Sequence, residues 1–218
     1  PEGVIHVQRV RVLSGTVLNE AIELTNYGTS DAVVPLSISF ASDFRDMFEV
    51  RGLKRPKQGT IEAPRVENGE VLLGYIGLDN VARRVRIAFS PTPTKLLADR
   101  ADFSVQLPAQ ACVSIYLSVA VKVEARGAAA AGAQISEPTH GTSEAHLSQI
   151  DTARPRVGRA AVRAALVDAH LVMRERRRVT ARVRSSNPLF NAWIERSLAD
   201  LGLLTTDLAT GPYPYAGI

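Results

Sequence analysis

Val4-Ile5-His6-Val7-Gln8-Arg9-Val10-Arg11-Val12-Leu13 is a β-branched run with polar residues interleaved, Ser14-Gly15 is a turn signal, and Leu18 to Asn26 alternates. In the second run Leu18, Glu20, Ile22 and Leu24 fall on one side, and Asn19, Ala21, Glu23 and Thr25 on the other. Successive side chains of a strand point to opposite faces, so period-two alternation marks strands that bury one face. Working outward, Asn26-Tyr27-Gly28-Thr29-Ser30-Asp31 is a turn cluster, and Val33 to Phe40 alternates again through Leu36, Ile38 and Phe40. Further strands are expected at 61–66, 70–78, 83–90, 102–107 and 112–124. Turn chemistry separates them, including Glu67-Asn68-Gly69 and Ser90-Pro91-Thr92-Pro93. Many short strands at this spacing argue for a mainly β fold, a large antiparallel β-sandwich.

The character changes after residue 124. Arg126-Gly127-Ala128-Ala129-Ala130-Ala131-Gly132-Ala133 is low in complexity and has no period, which reads as a linker. Helical spacing then sets in over 159–177, with Val162, Leu166, Ala169 and Met173 on one face. Asn187-Pro188 is a strong start signal for a second helix, because Asn accepts first-turn amides and Pro loses nothing at the first helical position. Phe190, Trp193, Ile194, Ser197, Leu198 and Leu201 form its expected buried stripe, and Gly202 is a candidate for its end. Thr210 to Tyr215 reads as an extended, proline-restricted loop. The expected organisation is a β-sandwich over 1–124, a flexible linker over 125–158 and a C-terminal helical extension over 159–218.

Composition narrows the function classes. The 218 residues are 45% hydrophobic, normal for a globular core, and no apolar run approaches the roughly 20 residues that span a bilayer. Cys112 is the only cysteine, which excludes an intrachain disulfide and a cysteine metal cage. Its apolar strand context predicts a buried small hydrophobe. A reducing cytoplasm suits this cysteine usage, and cytoplasmic localisation is the expectation. His6, His140, His146 and His170 show no metal-ligand spacing, and no glycine-rich phosphate loop occurs, so neither a metal nor a cofactor is expected. Ten arginines between 154 and 184 carry much of the net charge of +4. A solvated helix face is favoured over a polyanion site, since no aromatic platform is interleaved.

One stretch is dense in chemistry: Asp43-Phe44-Arg45-Asp46-Met47-Phe48-Glu49-Val50-Arg51-Gly52. Asp43, Asp46 and Glu49 are spaced by three, so a helical turn would put them on one face. They are the carboxylate cluster of the β region worth testing, because glycoside hydrolysis needs two carboxyl groups across the scissile bond. The structural alternative, an acidic turn tied by Arg45 or Arg51, is favoured over catalysis, and a domain-interface role stands beside it. Near the C-terminus Tyr213 and Tyr215 offer flat rings with a polar tip, suited to stacking on sugars or to packing their own loop.

The DF-x-D-x-FEVRG string resembles the N-terminal β-domain of glycogen debranching enzymes of the amylo-α-1,6-glucosidase type. A second block, Ser186-Asn187-Pro188-Leu189-Phe190-Asn191, Asp200-Leu201-Gly202-Leu203-Leu204 and Gly211-Pro212-Tyr213-Pro214-Tyr215-Ala216-Gly217-Ile218, is similar to the stretch that opens that family's helical catalytic domain. The likeness covers roughly 1–52 and 185–218. It implies a parent glycoside hydrolase acting on α-1,6-linked glucosyl branches of α-glucans. It also implies an (α/α) barrel that begins with the helical extension, and catalytic carboxylates beyond Ile218. This chain alone is then expected to be catalytically silent. The resemblance assigns substrate contact to Tyr213, Tyr215 and Gly217, and an interface or structural role to Asp43, Asp46, Glu49 and Arg51. It further implies strands before Val4, so the chain is expected to be truncated at its N-terminus. The sheet edges exposed in that way invite a homo-oligomer that covers them. An α-glucan reached through the catalytic domain is the other expected partner; a membrane and nucleic acid are not expected. Two rival functions are a free-standing carbohydrate-binding module, which the 6% aromatic content counts against, and a polyanion-binding module built on the arginines.

Overall fold

A computed structural model describes residues 3–125, 156–179, 181 and 183–214. The strands are β1 (Ile5–Ser14), β2 (Val17–Asn26), β3 (Ala32–Ser39), β4 (Thr60–Glu67), β5 (Glu70–Ile76), β6 (Val81–Ser90), β7 (Lys95–Leu96), β8 (Arg100–Leu107), β9 (Cys112–Ala125), β10 (Thr205–Leu208) and β11 (Gly211–Pro214). The helices are α1 (Met47–Val50), α2 (Arg159–Val179) and α3 (Pro188–Leu204). Six strands form an antiparallel sheet in the order β1-β2-β9-β6-β5-β4, and three form a second sheet, β3-β8-β7.

The two sheets face each other across one apolar core, so the chain is mainly β and its strands form an antiparallel sandwich. Ile22, Leu24, Val71, Leu73, Ile87, Phe89, Ile115 and Leu117 of the large sheet meet Ala101, Phe103, Val105 and Leu107 of the small one. Register explains the choice of side chains. Ile22 pairs with Ile115 and Leu24 with Val113, while Phe89 pairs with Leu117 and Ile87 with Val119, so one face is apolar across the strands. The sequence alternation therefore reads correctly, and Asn68-Gly69 makes the tight β4–β5 hairpin with both residues at positive φ.

The outer face of the large sheet also buries a row. Val12, Asn19, Ser118 and Ala88 lie opposite one another across four strands, and all are buried. The first turns of α2, to Leu166, belong to the same compact unit as this sheet. Their Val162 and Ala165 are buried, and a methyl group added to Gly158 would sit 3.8 Å from Ser90 Oγ. The second unit holds α2 from Val167, α3 and the β10–β11 hairpin. There Arg177 of α2 forms an ion pair with Glu195 of α3.

Four local expectations are corrected. Cys112 is exposed, because it opens β9 at the end of the sheet, beside the loop from β8. Gly202 does not end α3; the helix runs to Leu204, and its cap Thr205 donates N–H to Gly202 O. No residue of α3 is buried: of its expected stripe Trp193 is 63% and Phe190 39% exposed, while Ile194 and Leu198 are half-buried. The proline-restricted tail is, over Gly211–Pro214, a strand paired with Thr205–Leu208. Of the linker expected over 125–158, Ala125 is the last residue of β9, 156–158 lead into α2, and the residues between lie outside the described ones.

Two of the polar side chains buried among the described residues, Asn26 and Glu20, are held by several hydrogen bonds each. Asn26 is 1% exposed at the end of β2. Its Nδ2 donates to Ser30 O at 2.9 Å and to Leu107 O and Pro108 O at 3.2 Å, and its Oδ1 accepts from Gly28 N at 2.8 Å. Glu20 is 3% exposed and its Oε1 accepts from Arg9 Nε at 2.5 Å and Arg11 Nε at 3.0 Å. Burial pushes this carboxyl up, but the hydrogen bonds from Arg9 and Arg11 outweigh it and hold it below the ordinary 4.5. Asn26→Ala leaves the buried Leu107 carbonyl without this donor and should cost about 1–3 kcal/mol in urea unfolding. Glu20→Gln removes the charge between two guanidiniums and should cost roughly 1–3 kcal/mol at neutral pH. The wild-type advantage is complete above the unfolded carboxyl's 4.5 and is lost as pH falls through the lower folded value. A gap between the two proteins that stays constant down to strong acid contradicts this account.

Candidate functional site

The acidic–aromatic stretch forms a loop between β3 and β4, and two short-range motifs hold it. Asp46 is the N-cap of α1: its Oδ1 accepts from Glu49 N at 2.9 Å, while Glu49 Oε2 accepts from Asp46 N at 3.1 Å. This is a reciprocal capping box, which satisfies two otherwise free amides. The other end closes with Gly52 N donating to Glu49 O at 3.0 Å and Leu53 N to Phe48 O at 2.9 Å. That Schellman closure needs a left-handed residue, and Gly52 supplies it at φ 101°.

Longer contacts pin the loop. Arg55 forms an ion pair with Asp46, and Gln58 Nε2 donates to Glu49 Oε1 at 2.8 Å. Asp43 Oδ1 accepts from Arg45 N at 3.1 Å, and its other oxygen lies 3.4 Å from Arg45 Nε. Tyr75 of β5 acts as a post for both ends. The Phe44 ring stacks on it with centroids 5.5 Å apart and planes 13° from parallel, and Gly59 N donates to its hydroxyl at 2.9 Å. A Cβ at Gly59 would fall 2.0 Å from Ile76 O, so only glycine permits this approach.

The three acids therefore do not share a helix face. Only Glu49 lies within α1; Asp46 caps it and Asp43 belongs to the preceding turn. The backbone hydrogen bond from Glu49, then the Arg55 contacts, hold the Asp46 carboxyl below its ordinary range, which leaves it ionised and a poor proton donor. Arg45 ties Asp43, and Arg55 ties Asp46. Arg51 is the C-terminal cap of α1. Among its exposed charged residues the loop also presents four apolar side chains: Met47, Phe48, Val50 and Leu53 are all exposed, Val50 at 73%. Beside them a cavity of about 400 Å³ is lined by Arg45, Glu49, Gly52, Leu53, Lys54, Arg55 and Gln58.

Sequence reasoning missed Tyr75, Gly59, Arg55 and Gln58, whose partners lie nine or more residues away. In the second unit Tyr213 stands on β11 opposite Thr206 and is 56% exposed. Tyr215 and Gly217 lie outside the described residues. Asn187 caps α3, its Oδ1 accepting from Leu189 N at 2.9 Å and Phe190 N at 3.3 Å. Asp200 pairs with Arg196 at 3.2 Å. Among the described residues no group of three His, Cys, Asp or Glu could hold a metal, and no helix is long and apolar enough to cross a membrane.

Residues 1–118 match the sequence model of the N-terminal domain of some glycogen debranching enzymes. No curated protein matches the chain. Among solved structures, one described as "Putative kojibiose phosphorylase from human microbiome" is similar at 13% identity and a TM-score of 0.41, over 57% of this chain and 16% of that one. The chain thus spans under a fifth of that protein's length.

The capping box makes a local prediction. Asp46→Ala should speed amide exchange across 47–53 roughly fivefold or more, with little change in global unfolding. Because the Asp46 carboxyl is held below 3.8, the same loosening should set in for the wild type only as pH falls beneath that value. Unchanged exchange in the variant rules out the box as what holds the loop.

Proposed function

The chain belongs to the family of N-terminal domains of glycogen debranching enzymes, and from that premise we propose that it is the non-catalytic brace of an enzyme acting on α-1,6-linked glucosyl branches of α-glucans. The observation that carries the proposal is the 43–58 loop. Its acids are spent on holding the loop: Asp46 and Glu49 on each other's backbone, on Arg55 and on Gln58, and Asp43 on Arg45. A proton-donating acid facing a second carboxylate across a sugar needs the opposite, groups left for the substrate. The loop instead fixes Met47, Phe48, Val50 and Leu53 outward on a short, doubly capped turn. Rigid exposed apolar groups rimmed by charge suit docking, since their ordering costs are met before the partner arrives. In this reading the partner surface is the catalytic domain of the same enzyme, and the catalytic carboxylates belong to that domain.

The test compares the isolated chain with the whole parent enzyme. The isolated chain should release no glucose from a branched α-glucan. Val50→Asp should lower the thermal midpoint of the whole enzyme by several degrees while leaving unfolding of the isolated chain unchanged, since Val50 is outside the sandwich core. Glucose release by the isolated chain, or a whole enzyme indifferent to Val50→Asp, overturns the proposal.

A further inference from the structure

The cavity beside the 43–58 loop is lined by groups that neither the fold nor the docking face uses up. Its volume of about 400 Å³ lies in the range of small-molecule sites. Three of its lining residues are cations, Arg45, Lys54 and Arg55, and one is a carboxylate, Glu49. The walls are set before any ligand arrives. Glu49 stands in the capping box, and Gly52 and Leu53 close the other end of α1. Gln58 is tied back to Glu49, and Arg55 to Asp46. A site whose shape is already fixed loses little to ordering on binding.

The acids of the loop do not exhaust its cations. Over 43–57 five cations, Arg45, Arg51, Lys54, Arg55 and Lys57, stand against three carboxylates, Asp43, Asp46 and Glu49. Arg45 meets Asp43 through Nε at 3.4 Å, and Arg55 meets Asp46 through one terminal nitrogen. A guanidinium carries several N–H groups in a rigid fork, so both arginines keep donors for a further anion. The Lys54 ammonium has no hydrogen bond or ion pair among the described residues. Two arginines and a lysine around one cavity suit a phosphate group, which the forks bond bidentately while the ammonium adds a point charge.

The rest of the lining says what the phosphate is attached to. Glu49 Oε1 accepts from Gln58 Nε2 at 2.8 Å and Oε2 from Asp46 N at 3.1 Å, and each oxygen keeps a free lone pair that a hydroxyl can use. The Gln58 carboxamide oxygen is a further acceptor, and Leu53 gives an apolar face for carbon. A carboxylate beside the cations repels a bare anion but welcomes a ligand that carries hydroxyls at that end. We infer that this cavity binds a phosphate monoester of a sugar, with the phosphate among Arg45, Lys54 and Arg55 and the hydroxyls on Glu49 and Gln58. Met47, Phe48 and Val50 do not line the cavity, so this ligand and the docking of a catalytic domain are separable.

The experiment titrates glucose 6-phosphate into the full chain and follows backbone amides by NMR, with glucose and inorganic phosphate as separate probes. Glucose 6-phosphate should saturate in the millimolar range or below and shift the amides of Arg45, Gly52, Lys54 and Gln58. Inorganic phosphate should bind roughly tenfold more weakly, because it leaves the hydroxyl acceptors unused, and glucose should shift nothing. Lys54→Glu has no side-chain partner to lose, so it should fold as the wild type does and weaken glucose 6-phosphate about tenfold or more. Lys57→Glu is the control: Lys57 lies outside the lining, and salt screens an exposed charge there, so affinity should change less than about threefold. No saturation in the millimolar range overturns the inference, as does equal affinity for inorganic phosphate. So do shifts centred on residues 174–178, or an equal loss in Lys54→Glu and Lys57→Glu, because diffuse positive charge then suffices.

Discussion

A carboxamide buried at the end of β2 sets the geometry of the sandwich. Asn26 must find partners for both hydrogens of Nδ2, because an unpaired polar group out of water costs more than most single contacts return. It finds them in the carbonyls of Leu107 and Pro108, where β8 ends, and of Ser30, in the turn before β3. One side chain therefore ties the large sheet to the loop that leaves the small one. The turn between β2 and β3 is fixed by the same residue through Gly28 N. With those ends registered, Ile22 and Leu24 face Phe103, Val105 and Leu107 across the core. The pairings that follow are long in sequence: Leu24 with Val113, Val34 with Val105. Closing such loops costs entropy before any burial repays it, so a latch that answers several backbone groups at once matters more here than in a helical bundle.

The loop after β3 solves a different problem, how to be exposed and still have one shape. A four-residue helix cannot stabilise itself, since nucleation alone outweighs its few hydrogen bonds. The chain compensates at both ends with the Asp46–Glu49 box and the Gly52 closure, then anchors the whole on Tyr75. The acidic residues that drew attention as candidate catalysts are consumed by this task.

Much of the fold was legible because burial on one face writes a period into the sequence. Leu18 to Asn26 could be assigned from alternation alone, Asn68-Gly69 from the positive φ a tight hairpin needs, and Asn187-Pro188 from the unpaired amides of a helix start. The stripe Val162, Leu166, Ala169 and Met173 has its N-terminal member buried as its spacing implied. The candidate site was half legible. The string around Asp46 marked the place, but spacing by three suggested a shared helix face where the backbone instead turns twice. Phe44 on Tyr75, and Gly59 against Ile76 O, depend on strand register between segments that share no local pattern. The stripe on α3 failed for a further reason. Periodicity says which residues prefer to leave water; it does not supply the surface that covers them, and Trp193 and Leu201 remain exposed.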